Sequence, residues 1–538
     1  MTVFKCVVSY FKEHKLIFVL ILVTIISVTL LSLLPPQLLR IIIDDILIEK
    51  KEDKLLTFSL LYAFSYICIG IIDFIKEVLL IIISQGISKK IRLNMLHKVN
   101  RMTYFDFINY SSGELEAYFS NDVEEINSLI TSGVISMTID CLKIIGIIVS
   151  IFVYSYIFGL MTLAFIPLIL LFTLFVRKRM FLAQSQNRKL EGSVNSQILE
   201  NIDNINTIKS YRIYSTVEKK YENILLKHYS SNQKANFYDA IFSPIVQVLK
   251  TLIIVLIIML ANVRDNVFNM SVGMIASSID LITDLFKPIE SLGMELQSIQ
   301  KSMAAIRRIN VFFKINEDEI KDQSLDSSNE FVLKFDDVSF SYDGKENVIE
   351  HFNYTLTDKE RLTLKGRSGS GKSTLFKLAY GLIKPAKGRV TINGIDTYKL
   401  CDESKRKIFG IVYQEYYFSN GTIKDEITLY DSTITDERVY EVLKLVGLDR
   451  IKDINVILKP TDYSSGELSL FNIARAIINE TKILFLDEMN AKVDSITAKK
   501  IISVIDEISK DKMVLSINHY GDLLSESKIL NLQELNNS

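Results

Sequence analysis

Residues 366–373 form a glycine-rich stretch that ends in a lysine and a serine, a combination suited to holding phosphate groups. Four of them match every fixed position of the pattern G-x-x-x-x-G-K-[ST]. Glycines let backbone N–H groups approach phosphates, the lysine contacts the β- and γ-phosphates, and the serine binds Mg²⁺. The pattern predicts a nucleotide site. The residues assigned to it are Gly366, Ser368, Gly369, Gly371, Lys372, Ser373 and Thr374.

A second pair of reactive side chains follows an apolar run further along the chain. Residues 483–486 are apolar and few enough for a buried strand, and Asp487 and Glu488 come directly after them. Two acids at the end of a buried strand need a partner, which a metal ion and a water molecule would supply. Asp487 would then hold Mg²⁺ through its shell, and Glu488 would polarise the attacking water. Together with the glycine-rich loop, these acids predict nucleotide hydrolysis.

The elements that must position these residues follow from the apolar pattern around them. A short strand is predicted over 361–365 and an apolar helix over 374–383, so the glycine-rich loop joins a strand to a helix. Another strand is predicted over 513–517. The rear of the chain is therefore predicted to be an α/β domain.

Composition separates a front half from this rear half. The chain has 538 residues, of which 49% are hydrophobic, and its mean hydropathy is +0.24. Long apolar runs crowd residues 16–300, whereas 330–538 is mixed and polar, which indicates a lipid-embedded front and a soluble rear. The net charge of −1 does not indicate the basic surface that nucleic-acid binding needs, so no nucleic-acid partner is expected. The four cysteines are scattered, without metal-ligand spacing.

Six runs in the front half approach the length of about 20 apolar residues that a bilayer requires. Several continue as charged helical patterns that are expected to extend into water. The predicted spans cover 16–39, 55–84, 130–156, 160–176, 237–262 and 271–292.

The orientation of these spans follows from Lys and Arg in the connections. The N-terminus and the stretches 86–101 and 177–189 are strongly basic, whereas the loops 157–159 and 263–270 are almost uncharged. Because basic connections stay on the cytoplasmic side, both ends of the chain are predicted to lie in the cytosol. The sequence thus predicts a multi-pass protein of a cell membrane, surrounded by lipid, with its nucleotide domain in the cytoplasm.

These features together resemble a half-transporter of the ABC exporter superfamily, in which six spans are fused to one nucleotide-binding domain. Tyr342, in the sequence VSFSY, matches the aromatic residue that stacks on adenine in this family. Gln414, in IVYQ, matches the glutamine that senses Mg²⁺ and faces the membrane domain. His519, in SINH, matches the histidine that holds the γ-phosphate, and Asp494 corresponds to an aspartate that crosses the dimer interface.

The family signature L-S-G-G-Q is matched only in part. Residues 463–467 read Tyr-Ser-Ser-Gly-Glu, in the register fixed by Ala474-Arg475-Ala476. The resemblance implies that Ser464 and Gly466 cap the γ-phosphate of ATP held by a partner chain. Ser465 and Glu467 depart from the family pattern, which is expected to alter the turnover rate more than the mechanism.

The resemblance implies an all-α six-helix transmembrane domain followed by an α/β P-loop NTPase domain of ABC type. The expected boundaries are 1–315 for the membrane domain, 316–330 for a linker and 331–538 for the nucleotide-binding domain. The implied cofactors are ATP and Mg²⁺. The implied metal ligands are Ser373, Gln414 and Asp487, and the implied catalytic residues are Glu488, His519 and Gln414.

The expected activity is ATP-driven export by two paired chains, either two copies of this one or this one with a related half-transporter. The direction of transport rests on the resemblance alone. The cargo is expected to be a peptide, a drug-like amphiphile or a lipid. An alternative is a membrane regulator or sensor that uses ATP without net transport.

Charged residues within the predicted spans leave two interpretations open. Asp280, Asp284 and Lys287 share one face of the last span, and Lys250 lies near the middle of the fifth. Charges inside spans are costly and are usually functional or paired. They would therefore line a water-filled cavity for a polar or amphipathic cargo, or form ion pairs that lock the bundle.

Overall fold

The computed structural model describes residues 2–261, 271–325, 330–342, 344–367, 369–414, 417–487, 495–518 and 524–532. The chain divides into two compact units, Met1–Glu317 and Asp318–Ser538. The division falls inside the stretch 316–330 that the sequence assigns to a linker. Each unit has buried apolar clusters of its own.

The first unit is built from helices, several of them very long. Three short π-helical stretches, Ile42–Ile48, Tyr118–Asp122 and Leu129–Val134, connect some of them. The helices are α1 (Val3–Glu13), α2 (Lys15–Leu31), α3 (Leu34–Ile41), α4 (Glu52–Asn100), α5 (Tyr104–Ile108), α6 (Ser112–Ala117), α7 (Val123–Ser128), α8 (Ile135–Tyr154), α9 (Tyr156–Asp203), α10 (Ile205–Tyr211), α11 (Tyr214–Ala261) and α12 (Val272–Lys314).

Some of these stretches are long and apolar enough to cross a membrane. Within the described part of the chain there are four: Lys15–Ile48, Ser112–Tyr154, Tyr156–Asp203 and Tyr214–Leu256. The second and sixth predicted spans lie in α4 and α12, which have 49 and 43 residues but are not among these four. A helical membrane unit is therefore confirmed, and the count of six spans stays a prediction.

Proline distinguishes the long helices from one another. Pro167, Pro244 and Pro288 lie inside α9, α11 and α12, where each removes a backbone donor and favours a local bend. The 49 residues of α4 contain no proline. Its backbone hydrogen bonding is therefore free of this kind of interruption over its whole length.

Asp44, in the π-helical stretch after α3, closes the N-terminus of α12. Its carboxylate accepts hydrogen bonds from the Gly273 N–H at 2.8 Å and from the Ser271 hydroxyl. The first N–H groups of a helix have no partner within the helix, so this carboxylate supplies one. A Cβ on Gly273 would lie 2.7 Å from the carbonyl oxygen of Arg40, so only glycine fits there. The first and last long helical stretches are thereby joined.

The C-terminal half of α12 is tied to other elements of the same unit. Arg308 donates from Nε to the buried Asp122 carboxylate at 2.9 Å, and the Ser302 hydroxyl donates to the Glu125 carbonyl oxygen at 2.5 Å. Asn310 accepts the Val3 N–H at 2.9 Å, which attaches α1. These polar contacts fix the rotation of α12 against α7 and α1.

The second unit contains strands and shorter helices. Its strands are β1 (Leu333–Phe340), β2 (Ile349–Leu356), β3 (Arg361–Lys365), β4 (Lys387–Ile392), β5 (Ile395–Asp396), β6 (Phe409–Val412), β7 (Ile483–Asp487), β8 (Met513–Ile517) and β9 (Lys528–Asn531). Its α-helices are α13 (Lys372–Ala379), α14 (Asp402–Ile408), α15 (Ile423–Thr428), α16 (Asp436–Leu445), α17 (Ser465–Ile477) and α18 (Ser495–Ile508), with single 3₁₀ turns at Thr397–Lys399 and Pro460–Asp462.

Two sheets organise this unit. One is antiparallel in the order β2-β1-β4-β5, and the other is parallel in the order β6-β7-β8-β3-β9. The central strands β7 and β8 are apolar and buried almost throughout, as expected of a parallel sheet that is covered on both faces. Phe485 in β7 packs edge-on against Phe376, Tyr380 and Phe409. The predicted α/β domain is confirmed.

Candidate functional site

The glycine-rich loop joins β3 to α13, as its sequence predicts. Gly369 and Gly371 adopt φ angles of 84° and 88°, in the left-handed region that residues with a Cβ rarely occupy. A Cβ on Gly371 would also lie 3.1 Å from the carbonyl oxygen of Val348. These conformations bring the backbone N–H groups of the loop within reach of a ligand. Ser368 lies outside the described residues.

Two buried polar groups in this loop fit a phosphate ligand. Lys372 is 5% exposed, and its Nζ donates to the carbonyl oxygens of Gly366 and Arg367 at 2.9 and 2.8 Å. Ser370 has a buried hydroxyl that makes no hydrogen bond to any described residue. Buried polar groups are stable when they are hydrogen-bonded, and phosphate oxygens would accept from both. The loop is thus suited to the phosphates of a nucleotide.

The register of the parallel sheet places Asp487 beside this loop. Leu364 in β3 is paired with Ile517 in β8, and Ile517 is paired with Asp487 at the end of β7. The loop begins two residues after Leu364. Because neighbouring strands are about 4.8 Å apart, Asp487 lies about 10 Å across the sheet from Leu364, two residues before the loop. The loop and Asp487 therefore lie at the same edge of the sheet, where the carboxyl ends of the strands meet.

Gln414 reaches the same edge of the sheet from the other side. Val412, the last residue of β6, is paired with Leu486 of β7, and Gln414 follows two residues later. The carboxyl ends of β3, β6, β7 and β8 therefore bring together the loop, Gln414 and Asp487. Glu488, Asp494 and His519 lie outside the described residues, so their assigned roles stay predictions.

Tyr342 and Thr374 are joined by a direct contact. The Tyr342 hydroxyl lies 3.0 Å from Thr374 Oγ1, in the first turn of α13. Its ring packs edge-on against Phe340 with a centroid distance of 5.1 Å and remains 46% exposed. An exposed aromatic face next to the glycine-rich loop is suited to stacking on a planar base.

Ser464 caps α17 and shares a reciprocal pair of hydrogen bonds with Glu467. The Ser464 hydroxyl oxygen accepts the Glu467 N–H at 3.3 Å, and Glu467 Oε2 accepts the Ser464 N–H at 2.9 Å. The Ser464 hydroxyl also donates to Glu467 Oε2 at 3.0 Å. The Ser464 N–H, its hydroxyl and nearby Arg450 hold the pKa of the Glu467 carboxyl below its ordinary value. Glu467 is therefore ionised at neutral pH.

The two central signature positions differ in what they tolerate. Ser465 is the first residue of α17 and is exposed, and its φ is not positive, so the backbone makes no demand for glycine there. Gly466 is buried, and a Cβ on it would lie 2.3 Å from Thr497 Cγ2 in α18. Close packing of α17 against α18 therefore explains why only the second glycine is retained.

A buried ion pair that the sequence did not predict organises the segment after Gln414. Arg475 pairs with Glu426 at 3.0 Å, and these side chains are 16% and 3% exposed. Glu426 Oε1 also accepts the N–H groups of Ser419 and Gly421 at 2.6 and 3.0 Å. The pair thereby holds residues 417–421 to α15 and α17. The only sequence signal was the arginine in Ala474-Arg475-Ala476.

The membrane unit contains a cavity of about 470 Å³ lined by charged residues of α8 and α12. Lys287 pairs with Asp284 at 2.8 Å, and Asp140 accepts the hydroxyl of Ser291. One carboxylate oxygen of Asp280 is buried without a hydrogen bond to any described residue. The lining is Ser32, Pro35, Tyr66, Ile69, Asp140, Lys143, Ile147, Asp280, Leu281, Thr283, Asp284, Lys287, Pro288 and Ser291, and Lys250 is not part of it.

A helical membrane unit and a parallel-sheet unit with a glycine-rich, phosphate-type loop, in one chain, are the two parts expected of an ATP-driven membrane transporter. Comparison with known families agrees. Residues 18–289 match the family model of the ABC transporter transmembrane region, and residues 349–491 match the ABC transporter family model. The chain belongs to the ABC transporter family.

Individual relatives point to the exporter branch. A putative ABC transporter ATP-binding protein, exp8, of Streptococcus pneumoniae is 26% identical over 96% of this chain and 90% of its own length. The lactococcin-G-processing and transport protein LagD of Lactococcus lactis is 26% identical over 92% of this chain and 71% of its own. A solved bacterial Atm1-family ABC exporter with ATP bound has the same fold, with a TM-score of 0.75 at 18% identity, covering 97% of this chain and 93% of that one.

The chain is therefore a half-transporter that couples ATP hydrolysis to export, as the sequence predicted. It is a multi-pass protein of the bacterial plasma membrane. The half-transporter architecture implies that two such chains assemble.

Proposed function

We propose that two copies of this chain form a homodimeric exporter with two equivalent ATP sites, whose cargo is a peptide, a drug-like amphiphile or a lipid. The observation that carries the homodimer is that one chain supplies both halves of a site. The sheet edge offers the loop, Gln414 and Asp487, and the N-terminus of α17 offers Ser464 and Gly466. Two copies would complete two such sites without a specialised partner.

Each site would join the sheet edge of one chain to the α17 N-terminus of the other. Lys372 and the loop N–H groups would hold the phosphates, Tyr342 would stack on the adenine, and Thr374 would orient that tyrosine. Ser464 and the backbone N–H groups at the start of α17 would approach the γ-phosphate, because a helix N-terminus favours an anion. Asp494 is proposed to cross the interface between the two copies.

The metal ion and the attacking water are assigned to further residues of the ATPase unit. Ser373, Gln414 and Asp487 would hold Mg²⁺, which when bound would neutralise charge on the phosphates. Glu488 would accept a proton from the attacking water, and His519 would hold the γ-phosphate. Closure of the two ATPase units would favour an outward-open membrane cavity, and hydrolysis would reset it.

The cargo proposal rests on the cavity of the membrane unit. A pocket that combines three carboxylates, two lysines and apolar side chains suits a molecule with both polar and apolar parts. The name of the relative LagD is that of a peptide transporter, which fits the peptide member of this class.

Glu488→Gln tests the assigned base. The purified chain alone, in lipid vesicles, is expected to hydrolyse ATP and to accumulate cargo from a panel of peptides, dyes and lipids. The variant should bind ATP but lose at least about 100-fold in hydrolysis, since it lacks the base. Transport should be lost with hydrolysis. Normal turnover by Glu488→Gln would show that the base is another residue.

Two further measurements separate the alternatives. The mass of the ATP-bound Glu488→Gln complex should equal two copies of this chain; a requirement for a second, different chain would favour the catalytic half of a heterodimer. ATP hydrolysis with no accumulated cargo across the whole panel would favour a regulator or sensor.

A further inference from the structure

Glu467 places a negative charge at the helix end that is proposed to approach a phosphate. It occupies the signature position where the family has a neutral glutamine, and Arg450 pairs with its Oε1 atom. Arg450 lies in the loop after α16, outside the signature. Its side chain is 62% exposed, and that of Glu467 is 25% exposed.

An ionised Glu467 competes with a phosphate in two ways. Its Oε2 atom accepts both the hydroxyl and the N–H of Ser464, so it occupies the donors that would otherwise face the γ-phosphate. Its charge also opposes an anion at the N-terminus of α17, because like charges repel across a few ångströms near a protein surface. A glutamine would keep the reciprocal capping bonds without adding charge.

Arg450 offsets both effects through one contact. A guanidinium group beside Oε1 neutralises the carboxylate and draws electron density away from Oε2, which weakens its hold on the Ser464 hydroxyl. The arginine is not needed to form the cap, since the capping bonds run between Ser464 and Glu467 alone. Its contact with Glu467 therefore concerns the charge at the helix end rather than its fold.

We infer that Arg450 is a positioning residue for ATP hydrolysis: by neutralising Glu467, it keeps the N-terminus of α17 receptive to the γ-phosphate held by the partner copy. The inference rests on the proposed function, in which α17 of one chain completes the site of the other. Arg450 should therefore matter only while Glu467 is present, and Glu467 should oppose ATP binding most strongly when Arg450 is absent.

A double-mutant cycle on the full-length exporter in lipid vesicles tests this inference, with ATP and Mg²⁺ as the only ligands. Arg450→Gln should raise the half-saturating ATP concentration about fivefold, the size expected for one partly exposed charge near a helix terminus. The kcat should stay within about twofold, because the attacking water and the base are untouched. Glu467→Gln should lower the half-saturating concentration, and Arg450→Gln added to it should have little further effect.

Three comparisons make the result decisive. Arg450→Lys should restore the wild-type value, because it keeps the charge. Lys407→Gln removes the cation of an exposed pair with Glu403, at 2.8 Å on α14, and should change nothing. If Arg450→Gln shifted the half-saturating ATP concentration equally in the wild-type and Glu467→Gln backgrounds, Arg450 would act independently of Glu467. If it caused no shift in either background, the pair would be an ordinary surface contact.

The failure of this inference can be told apart from failure of the proposed function. The double-mutant cycle measures how the rate of hydrolysis depends on the ATP concentration, with no cargo present. A wrong dimer would instead appear in the mass of the complex, and a wrong cargo class in the vesicle accumulation assay.

Discussion

Lys405 shows how burial changes the chemistry of a single residue in the ATPase unit. It lies in α14, is partly buried, and donates from Nζ to the Gly381 carbonyl oxygen at 2.7 Å. Burial, together with the nearby charge of Lys321, lowers the pKa of its ammonium to about 8. Three acids oppose this shift, namely Asp402, Asp318 and Asp396. Desolvation outweighs them because they do not form close ion pairs with Lys405.

The low pKa of Lys405 predicts a specific pH dependence of stability. Between about pH 8 and the ordinary pKa of 10.5, the unfolded chain keeps a proton that the folded chain has released. Unfolding then takes up a proton, so the free energy of unfolding contributed by Lys405 rises with pH, by at most about 1.4 kcal/mol per pH unit. Lys405→Met should lack this rise.

Pulse proteolysis of the ATPase unit in urea, within the full chain, measures this effect. The stability of the wild type relative to Lys405→Met should increase by about 1–2 kcal/mol from pH 8 to 9.5. Other titrating groups are shared and cancel in the comparison. A difference that stays constant over this pH range would mean that the lysine titrates normally.

At the scale of elements, α17 and α18 pack so closely at Gly466 that a methyl group has no space. Gly466→Ala should destabilise the ATPase unit by about 2 kcal/mol, in the range of overpacked cores. Thr497→Ser removes the Cγ2 atom that the new methyl would meet at 2.3 Å, while it keeps the hydroxyl. The double variant that carries both Gly466→Ala and Thr497→Ser should recover at least half of the stability lost in Gly466→Ala, as measured by denaturation temperature.

Thr497→Ser alone serves as the control for that pair and should have a small effect. If the double variant were no more stable than Gly466→Ala, the glycine would be required for backbone reasons and not for helix packing.

The sequence predicted those elements whose pattern is local. The strands over 361–365 and 513–517 coincide with β3 and β8, because a short apolar run between turns has few alternatives. The glycine-rich loop was predictable for the same reason. The ion pair of Glu426 with Arg475 was not, since its residues are 49 positions apart and nothing local distinguishes a buried glutamate from an exposed one. The contact of Asp44 with the N-terminus of α12 was missed for the same reason.

At the scale of the whole molecule, the number of spans decides on which side of the membrane each connection between helices lies. Four helical stretches qualify by length and apolar character among the described residues. Lys76 in α4 forms ion pairs with both Asp73 and Glu77, and Asp284 pairs with Lys287 in α12. Charged residues that pair within one helix are compatible with a membrane-spanning helix, because pairing reduces the free-energy cost of burying the charges in lipid.

Labelling of single cysteines in intact cells tests the predicted count of six. In a chain whose four native cysteines are replaced by serine, Lys51→Cys should react with a membrane-impermeant maleimide from outside. Lys189→Cys, in the basic extension of α9, should react only after permeabilisation. If Lys51→Cys also required permeabilisation, α2–α3 and α4 would not cross as a pair, and the six-span arrangement would be wrong.

The uninterrupted length of α4 has a mechanical consequence. At 1.5 Å per residue, its 49 residues extend over about 74 Å, more than twice the thickness of a bilayer core. Without proline, α4 lacks the commonest cause of a sharp kink, so it is expected to tilt as one rod. A tilt of about 5° about one end sweeps the other through about 6 Å. As one of the six predicted spans, α4 would thus carry a small tilt at its cytoplasmic end to the far side of the membrane.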